Sequence, residues 1–222
     1  IHCVKTEKDK FTSHTVIIAT GAKAKWLNIE GEEKFRGFGV SACATCDGFF
    51  YKNKNVAVVG GGNTAVEEAL FLSNLCNKVV LIHRRDQLRA EKILQDRLFE
   101  KKNVEFIWNS EVQKVLGDKE KKIITSLEIF DSKNKRKDIL NIDGFFVAIG
   151  HSPTTEIFHK KLKMDDDGYI FTDADSTKTS VDGVFAAGDV TDKVYRQAVT
   201  AAGMGCMSAL EAESFLTKRN LI

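Results

Sequence analysis

Apolar and polar positions change period twice along this chain. Near the start, short β-rich runs cover residues 1–6, 11–14 and 15–20, with Lys8-Asp9-Lys10 as a polar turn between the first two. Thr15-Val16-Ile17-Ile18-Ala19-Thr20-Gly21 is almost continuously apolar and ends at glycine, which predicts a buried parallel strand. Residues 22–40 lose any period and are punctuated by glycine, as in a crossing between two units. A second buried strand is expected at 55–59. The spacing of Val66, Ala69, Leu70 and Leu72 predicts a helix over 64–75 packed on a sheet. A strand at 78–82, a helix capped by Asp86 and running to about Lys102, and a strand at 104–108 follow. This β-α-β-α-β order specifies a parallel, doubly wound unit.

The period then switches to two. Residues 111–116, 123–130 and 138–142 predict strands joined by the charged turns Gly117-Asp118-Lys119 and Asp131-Ser132-Lys133. They form an antiparallel meander set ahead of a buried strand at 145–149. Gly150 closes that strand, and the single proline, Pro153, stands in the loop beyond. A short strand at 183–187 and a final helix from about Arg196 to Thr217 complete the pattern.

Composition narrows the class. A chain of 222 residues suits one large domain or two small ones. Its formal net charge of +2 gives no global basic field for nucleic acid or an anionic membrane. There is no apolar run of about 18 residues and no basic-then-apolar leader at Ile1-His2-Cys3-Val4-Lys5. A soluble, cytoplasmic protein is therefore expected. The first residue is an isoleucine inside a strand-like run, which points to a fragment or a processed chain. The five cysteines are scattered, unlike a secreted disulfide framework, and Cys3, Cys76 and Cys206 read as small buried apolar side chains.

Chemistry concentrates at two places. Gly60-x-Gly62-x-x-Ala65 matches the alanine-ended dinucleotide fingerprint and lies between a predicted strand and a predicted helix. Gly60 permits the tight turn, Gly62 lets backbone approach a pyrophosphate, and the helix N-terminus attracts its charge. Asn63 and Thr64 are further donors. Where an NAD site carries an acidic residue, this chain has His83-Arg84-Arg85, with Arg89 a helical turn on. A guanidinium cluster suits the 2′-phosphate of NADPH; the plainer reading is a solvated basic face.

The second place is Cys43-x-x-Cys46, followed at once by Asp47. The pair could be half of a zinc site, although no second Cys-x-x-Cys or close histidine pair completes it. It could be two inert core cysteines, or a redox dithiol able to interchange with a disulfide. In the last case Asp47 is placed to supply the departing sulfur with a proton; otherwise it is a turn residue before Gly48. Thiols do not take a hydride efficiently from a nicotinamide, so a flavin relay is expected between them.

These motifs resemble a known family. Ala42-Cys43-Ala44-Thr45-Cys46-Asp47-Gly48, Gly60-Gly61-Gly62-Asn63-Thr64-Ala65 and His83-Arg84-Arg85 occur in one order. Gly150-His151-Ser152-Pro153, Gly183-Val184-Phe185-Ala186-Ala187-Gly188-Asp189-Val190 and Tyr195-Arg196-Gln197-Ala198 follow. Over nearly its whole length the chain is similar to low-molecular-weight, bacterial-type thioredoxin reductases. The resemblance implies two Rossmann-like, three-layer ββα dinucleotide-binding domains. An NADPH domain at 24–149 is inserted in an FAD domain made of 1–23 and 150–222.

It implies that electrons pass from NADPH to FAD to the disulfide and then to oxidised thioredoxin. In that scheme Cys46 faces the flavin, Cys43 exchanges with thioredoxin and Asp47 is the proton donor. His83, Arg84, Arg85 and Arg89 would hold the 2′-phosphate. FAD would be held by Thr20, Gly21, Asp189 and Val190, with Arg196, Gln197 and Ala198 near its ring system. Family members are homodimers whose two domains rotate relative to each other. The family's opening FAD-binding βαβ unit has no counterpart before Ile1, so a truncated reductase with a damaged FAD site is expected. The competing functions are a flavoprotein reductase serving a peroxidase and a non-catalytic NADPH-binding module.

Overall fold

The two periods build two kinds of layer. In the computed structural model, which describes residues 1–118 and 120–222, the first elements are β1 (His2–Lys5), β2 (Lys10–Ser13), β3 (Val16–Ile18), β4 (Ala22–Ala24), β5 (Val40–Ser41) and the one-turn helix α1 (Ala44–Asp47). Next come β6 (Asn55–Val59), α2 (Asn63–Ser73), β7 (Lys78–Ile82), α3 (Lys92–Phe99) and β8 (Val104–Ile107). The meander is β9 (Ser110–Asp118), β10 (Ile123–Asp131) and β11 (Arg136–Asn141). The chain ends with β12 (Gly144–Val147), β13 (His151–Pro153), β14 (Val184–Ala186) and α4 (Ala198–Lys218). Lys119, in one of the predicted turns, lies outside the described residues. Two units result: Ala24–Gly150, and Ile1–Lys23 together with His151–Ile222.

In the unit Ala24–Gly150, a five-stranded sheet runs in the order β5-β12-β6-β7-β8, and every pairing is parallel. Alternate residues of one strand point to opposite faces, and here both faces are buried. Val56, Val58, Val79, Leu81 and Phe146 pack with Ala65, Val66, Ala69 and Leu72 of α2. Ala57, Val59, Val80, Ile82, Phe145 and Val147 pack with Val112, Val115, Ile124, Leu127 and Ile129 of the meander. That double burial is why these strands read as continuous apolar runs. The result is a three-layer ββα unit of helices, parallel sheet and antiparallel meander. Each fully buried valine or leucine contributes about 1.5–3 kcal/mol relative to exposure, so Leu72→Ala would cost about 2–5 kcal/mol.

One helix departs from expectation. It starts at Lys92, with Glu91 as its N-cap, and not at Asp86. Residues 84–91 are held off the helical path by the glycine turn. The Arg89 amide donates to the Gly61 carbonyl at 2.6 Å, and the Glu91 amide donates to Asn63 Oδ1 at 2.9 Å. Leu88 and Ala90 are pulled into the helix-side core. A local capping signal at Asp86 loses to these tertiary contacts.

The other unit is built from pairs of strands. β1 and β2 form an antiparallel hairpin, β4 pairs with β13, and β3 lies parallel to β14. Its small core gathers Ile18, Ile170, Val184, Ala186 and Val190. The β3 run is parallel as its composition suggests, but it is buried on one side only: Ile18 is 3% exposed and Ile17 42%. The cysteine expectation also needs correction. Cys76 is buried, and burial pushes its thiol up to about 11, whereas Cys3 and Cys206 are exposed. Among the described residues no helix is long and apolar enough to cross a membrane.

Candidate functional site

The thiol pair sits where β5 ends. Ser41, the last residue of that strand, is in register with Phe146 of β12. The chain turns there into α1, whose N-cap is Cys43 in an extended conformation. Cys43 and Cys46 are joined by a disulfide, with their Cα atoms 5.3 Å apart, and Cys43 Sγ accepts from the Cys46 amide at 3.2 Å. Cys43 is half-buried and Cys46 exposed.

Asp47 closes the helical turn by donating its amide to the Cys43 carbonyl at 3.1 Å. Its carboxylate is half-buried and accepts from the Ser41 hydroxyl at 2.6 Å. Tyr51, shortly after, is raised by burial and then by the Asp47 charge. Behind the site, Gly48 lies close against Phe71 and Leu72, 3.1 and 3.0 Å from where a Cβ would stand, so a larger residue would push α1 away. The neighbouring Phe49 and Phe50 are largely exposed.

The second site is a cleft of about 550 Å³ in the same unit, bordered by the turn at Gly60–Gly62, Thr64, His83, Arg84, Arg89 and the start of the meander. Gly60 has φ +152°, and a Cβ there would fall 2.4 Å from the Ala148 carbonyl oxygen and 2.6 Å from the Ala65 Cβ. Gly62 caps α2 without a side-chain partner, and a Cβ on it would meet no atom within 4 Å. An uncapped helix N-terminus beside open space is a fitting seat for a pyrophosphate.

The other predicted ligands are placed unequally. Arg84 and Arg89 border the cleft, while Arg85 does not; its carbonyl accepts from the Asn109 amide. Asn63 bonds its side chain to Glu91, donating from Nδ2 at 3.2 Å and accepting at Oδ1 from the Glu91 amide at 2.9 Å. His83 is buried at 5% exposure, and its ring atoms lie 2.1–2.6 Å from where a Gly61 Cβ would stand. Burial lowers its affinity for a proton, and Arg89 and Arg85 add to that against the backbone of Gln87 and Gly60. The ring is a floor beneath the turn.

In the other unit, Thr20-Gly21 and Asp189-Val190 follow the carboxyl ends of the paired parallel strands β3 and β14, the edge at which such sheets bind ligands. Thr20 donates its hydroxyl to the Thr154 carbonyl at 2.6 Å, and Gly21 accepts from the Thr154 amide. Asp189 is raised by burial and by Asp192, against the charge of Arg196. Such a carboxylate gains from a hydroxyl donor, which fits a ribityl chain. Gln197 and Thr200 form a capping box at the start of α4, with Arg196 in a left-handed conformation (φ +48°) just before it and Ala198 exposed. Ser41 and Glu91 are site neighbours the sequence did not single out. Both act through tertiary hydrogen bonds, which leave no periodic signal.

A glycine turn opening a helix and a disulfide on one ββα unit define a nucleotide-linked disulfide oxidoreductase. Residues 1–205 match the family described as pyridine nucleotide-disulphide oxidoreductase. The chain is 58% identical over 210 residues to a thioredoxin reductase of Rickettsia conorii, covering 95% of this chain and 68% of that one. It is 51% identical over 224 residues to the Coxiella burnetii thioredoxin reductase, covering 98% and 69%. The crystal structure of thioredoxin reductase from Streptococcus pyogenes superposes with a TM-score of 0.91 at 42% identity, over 97% of this chain and 70% of that one. The chain belongs to the thioredoxin reductases within the pyridine nucleotide-disulphide oxidoreductase family.

Proposed function

We propose that the protein is a thioredoxin-disulfide reductase that moves electrons from NADPH to a Cys43/Cys46 dithiol and on to oxidised thioredoxin. The observation that carries this reading is the Cys43–Cys46 disulfide at the start of α1, beside a half-buried carboxylate. When bound, NADPH supplies a hydride and FAD the two-electron relay that a thiol pair needs.

The unit 24–150 holds NADPH. The backbone of Gly60–Gly62 and the N–H groups of α2, including that of Thr64, face its pyrophosphate. Arg84 and Arg89, with Arg85 adding charge, attract its 2′-phosphate. His83 supports the turn from beneath. Thr20, Gly21, Asp189 and Val190, with Arg196, Gln197 and Ala198, form the share of an FAD site that residues 1–222 carry. The family's opening FAD-binding βαβ unit would supply the rest, so the holoenzyme tested is the full-length protein with FAD bound. The scheme carries two further expectations from likeness to bacterial relatives, a homodimer and a cytoplasmic setting. Sedimentation of the holoenzyme tests the first and cell fractionation the second.

Once reduced, Cys43 attacks the thioredoxin disulfide as a thiolate, forming a mixed disulfide and expelling a thioredoxin thiolate. Cys46 then attacks the Cys43 sulfur, which restores the Cys43–Cys46 disulfide and releases thioredoxin as a dithiol. Asp47 passes a proton to the first expelled thiolate, regains one from the Cys46 thiol as that thiol ionises to attack, and passes it to the second. The test is Cys46→Ser in the holoenzyme. NADPH-driven thioredoxin reduction should fall by about 10³-fold or more, which is roughly 4 kcal/mol in the barrier. Undiminished turnover would falsify the dithiol mechanism, whereas a wild-type holoenzyme that binds NADPH without reducing thioredoxin would favour a nucleotide-binding module.

A further inference from the structure

Ser41 is a polar residue in a position built for an apolar one. It ends a buried strand, is 6% exposed and follows Val40 in the pairing with β12. A hydroxyl buried there costs about 1–3 kcal/mol unless its hydrogen bonds are made. They are made to the two ends of the redox motif. Ser41 Oγ accepts from the Cys43 amide at 3.1 Å and donates to Asp47 Oδ2 at 2.6 Å. The Cys43 carbonyl, at 3.4 Å from the same oxygen, is the weaker claimant for its proton. With the Asp47 amide bonded to the Cys43 carbonyl, the three residues close a ring of hydrogen bonds.

We propose that Ser41 is a positioning residue for thiol–disulfide exchange, holding the Asp47 carboxylate and the Cys43 backbone in one fixed arrangement. This rests on the exchange mechanism proposed above. Among the described residues only Oδ2 of Asp47 is engaged, so Oδ1 is left free for the exchange chemistry. A carboxylate without the serine would rotate toward solvent, and the departing thiolate would lose its nearby acid. The other groups on this network are few. Tyr51 lies within electrostatic reach of Asp47, and Lys54 stands over the Tyr51 ring at 5.7 Å. α2, packed against α1, has Glu67 and Glu68 as its charged residues, and β12 has none.

The experiment isolates the exchange step. Holoenzyme is reduced with dithiothreitol, desalted and mixed with oxidised thioredoxin in a single turnover across a range of pH, so that no NADPH is consumed. Ser41→Ala should slow exchange roughly 10-fold, the usual scale for a hydrogen bond to a charged group, and shift the pH–rate profile. Ser41→Thr, which restores a hydroxyl, should recover most of the rate. The Ser41→Ala/Asp47→Asn double variant should lose clearly less than the sum of the two single losses, because the serine acts largely through the carboxylate. An unchanged Ser41→Ala rate and profile, or additive losses in the double variant, overturns the proposal. If Asp47→Asn itself exchanges at the wild-type rate, the acid mechanism fails and Ser41's role fails with it. If Asp47→Asn is slow and Ser41→Ala is not, only the serine's role falls. Should Ser41→Ala not fold, Ser41→Thr is compared with Ser41→Val, which shares its shape and lacks the hydroxyl; equal rates then overturn the proposal.

Discussion

The two units hold their loops by different means. In the unit 24–150, the glycine turn is wedged between apolar layers, with Ala65 and Ala148 close above Gly60 and the His83 ring under Gly61. In the other unit, carboxylates do the holding. Asp192 accepts from the amides of Val194, Tyr195 and Arg196, and Glu211 accepts from Ser176 and Thr177. Its helix α4 fully buries only Ser208 and Ala212 and leaves Val199 and Leu210 exposed. Packing is insensitive to pH and intolerant of added volume; hydrogen-bonded carboxylates are the reverse. The two units should therefore break under different insults.

Added volume gives the largest effect. Gly61→Ala places a Cβ 2.1–2.6 Å from the atoms of a buried ring, so overpacking should cost about 1–3 kcal/mol of stability and shift the turn or the ring. NADPH affinity should fall roughly 10–100-fold if the same energy is lost from binding. Gly62→Ala is the control. Its backbone is ordinary (φ −94°, ψ −174°) and its Cβ meets open space, so the melting temperature should hold while NADPH titrations weaken. Wild-type affinity in Gly62→Ala would move the nucleotide away from this turn.

Charge removal comes next. Arg84→Gln and Arg89→Gln should each weaken NADPH binding roughly 10-fold or more, the scale of a hydrogen bond to a charged group. NADH binding should be nearly unchanged. The readout is the ratio of the two affinities, which a general loosening of the cleft would leave constant.

How much of this was legible in the sequence follows the same division. β6, β7 and the meander could be read because both faces of the sheet are buried and the strand pattern is strong. The turn could be read because glycine is required where φ is +152° and backbone crowds. The helix start at Lys92 could not, because Arg89 and Glu91 are bonded to residues nearly thirty positions earlier. Nor could the burial of His83 beneath Gly61, or the bond from Ser41 to Asp47, since neither follows from spacing. The exposure of Cys3 and Cys206 has a similar origin. A cysteine's usual preference for burial says nothing about a hairpin strand such as β1, exposed at three of its four residues, or about a helix with few buried positions.

Acid gives the smallest effect and the most direct contrast. Burial opposes the charge on Glu211, but hydrogen bonds from the Ser176 hydroxyl and from Thr177 outweigh it and hold the carboxyl below the usual glutamate value. The folded chain thus binds this proton less readily than the unfolded chain does. Ionised Glu211 stabilises its unit at pH values above the unfolded pKa, and the contribution is lost as pH falls through the lower folded value. Glu211→Gln should then cost about 1–2 kcal/mol at pH 7, with the difference from wild type shrinking on acidification. Hydrogen exchange reads it locally. Amides of α4 and of Ser176 and Thr177 should exchange faster in the variant at neutral pH and converge with wild type in acid. Amides of β6 and β7, protected by packing, should be unmoved at either pH. Equal acceleration in β6 and β7 would mean that the two units do not respond separately, and that carboxylates and packing are not the separate supports described here.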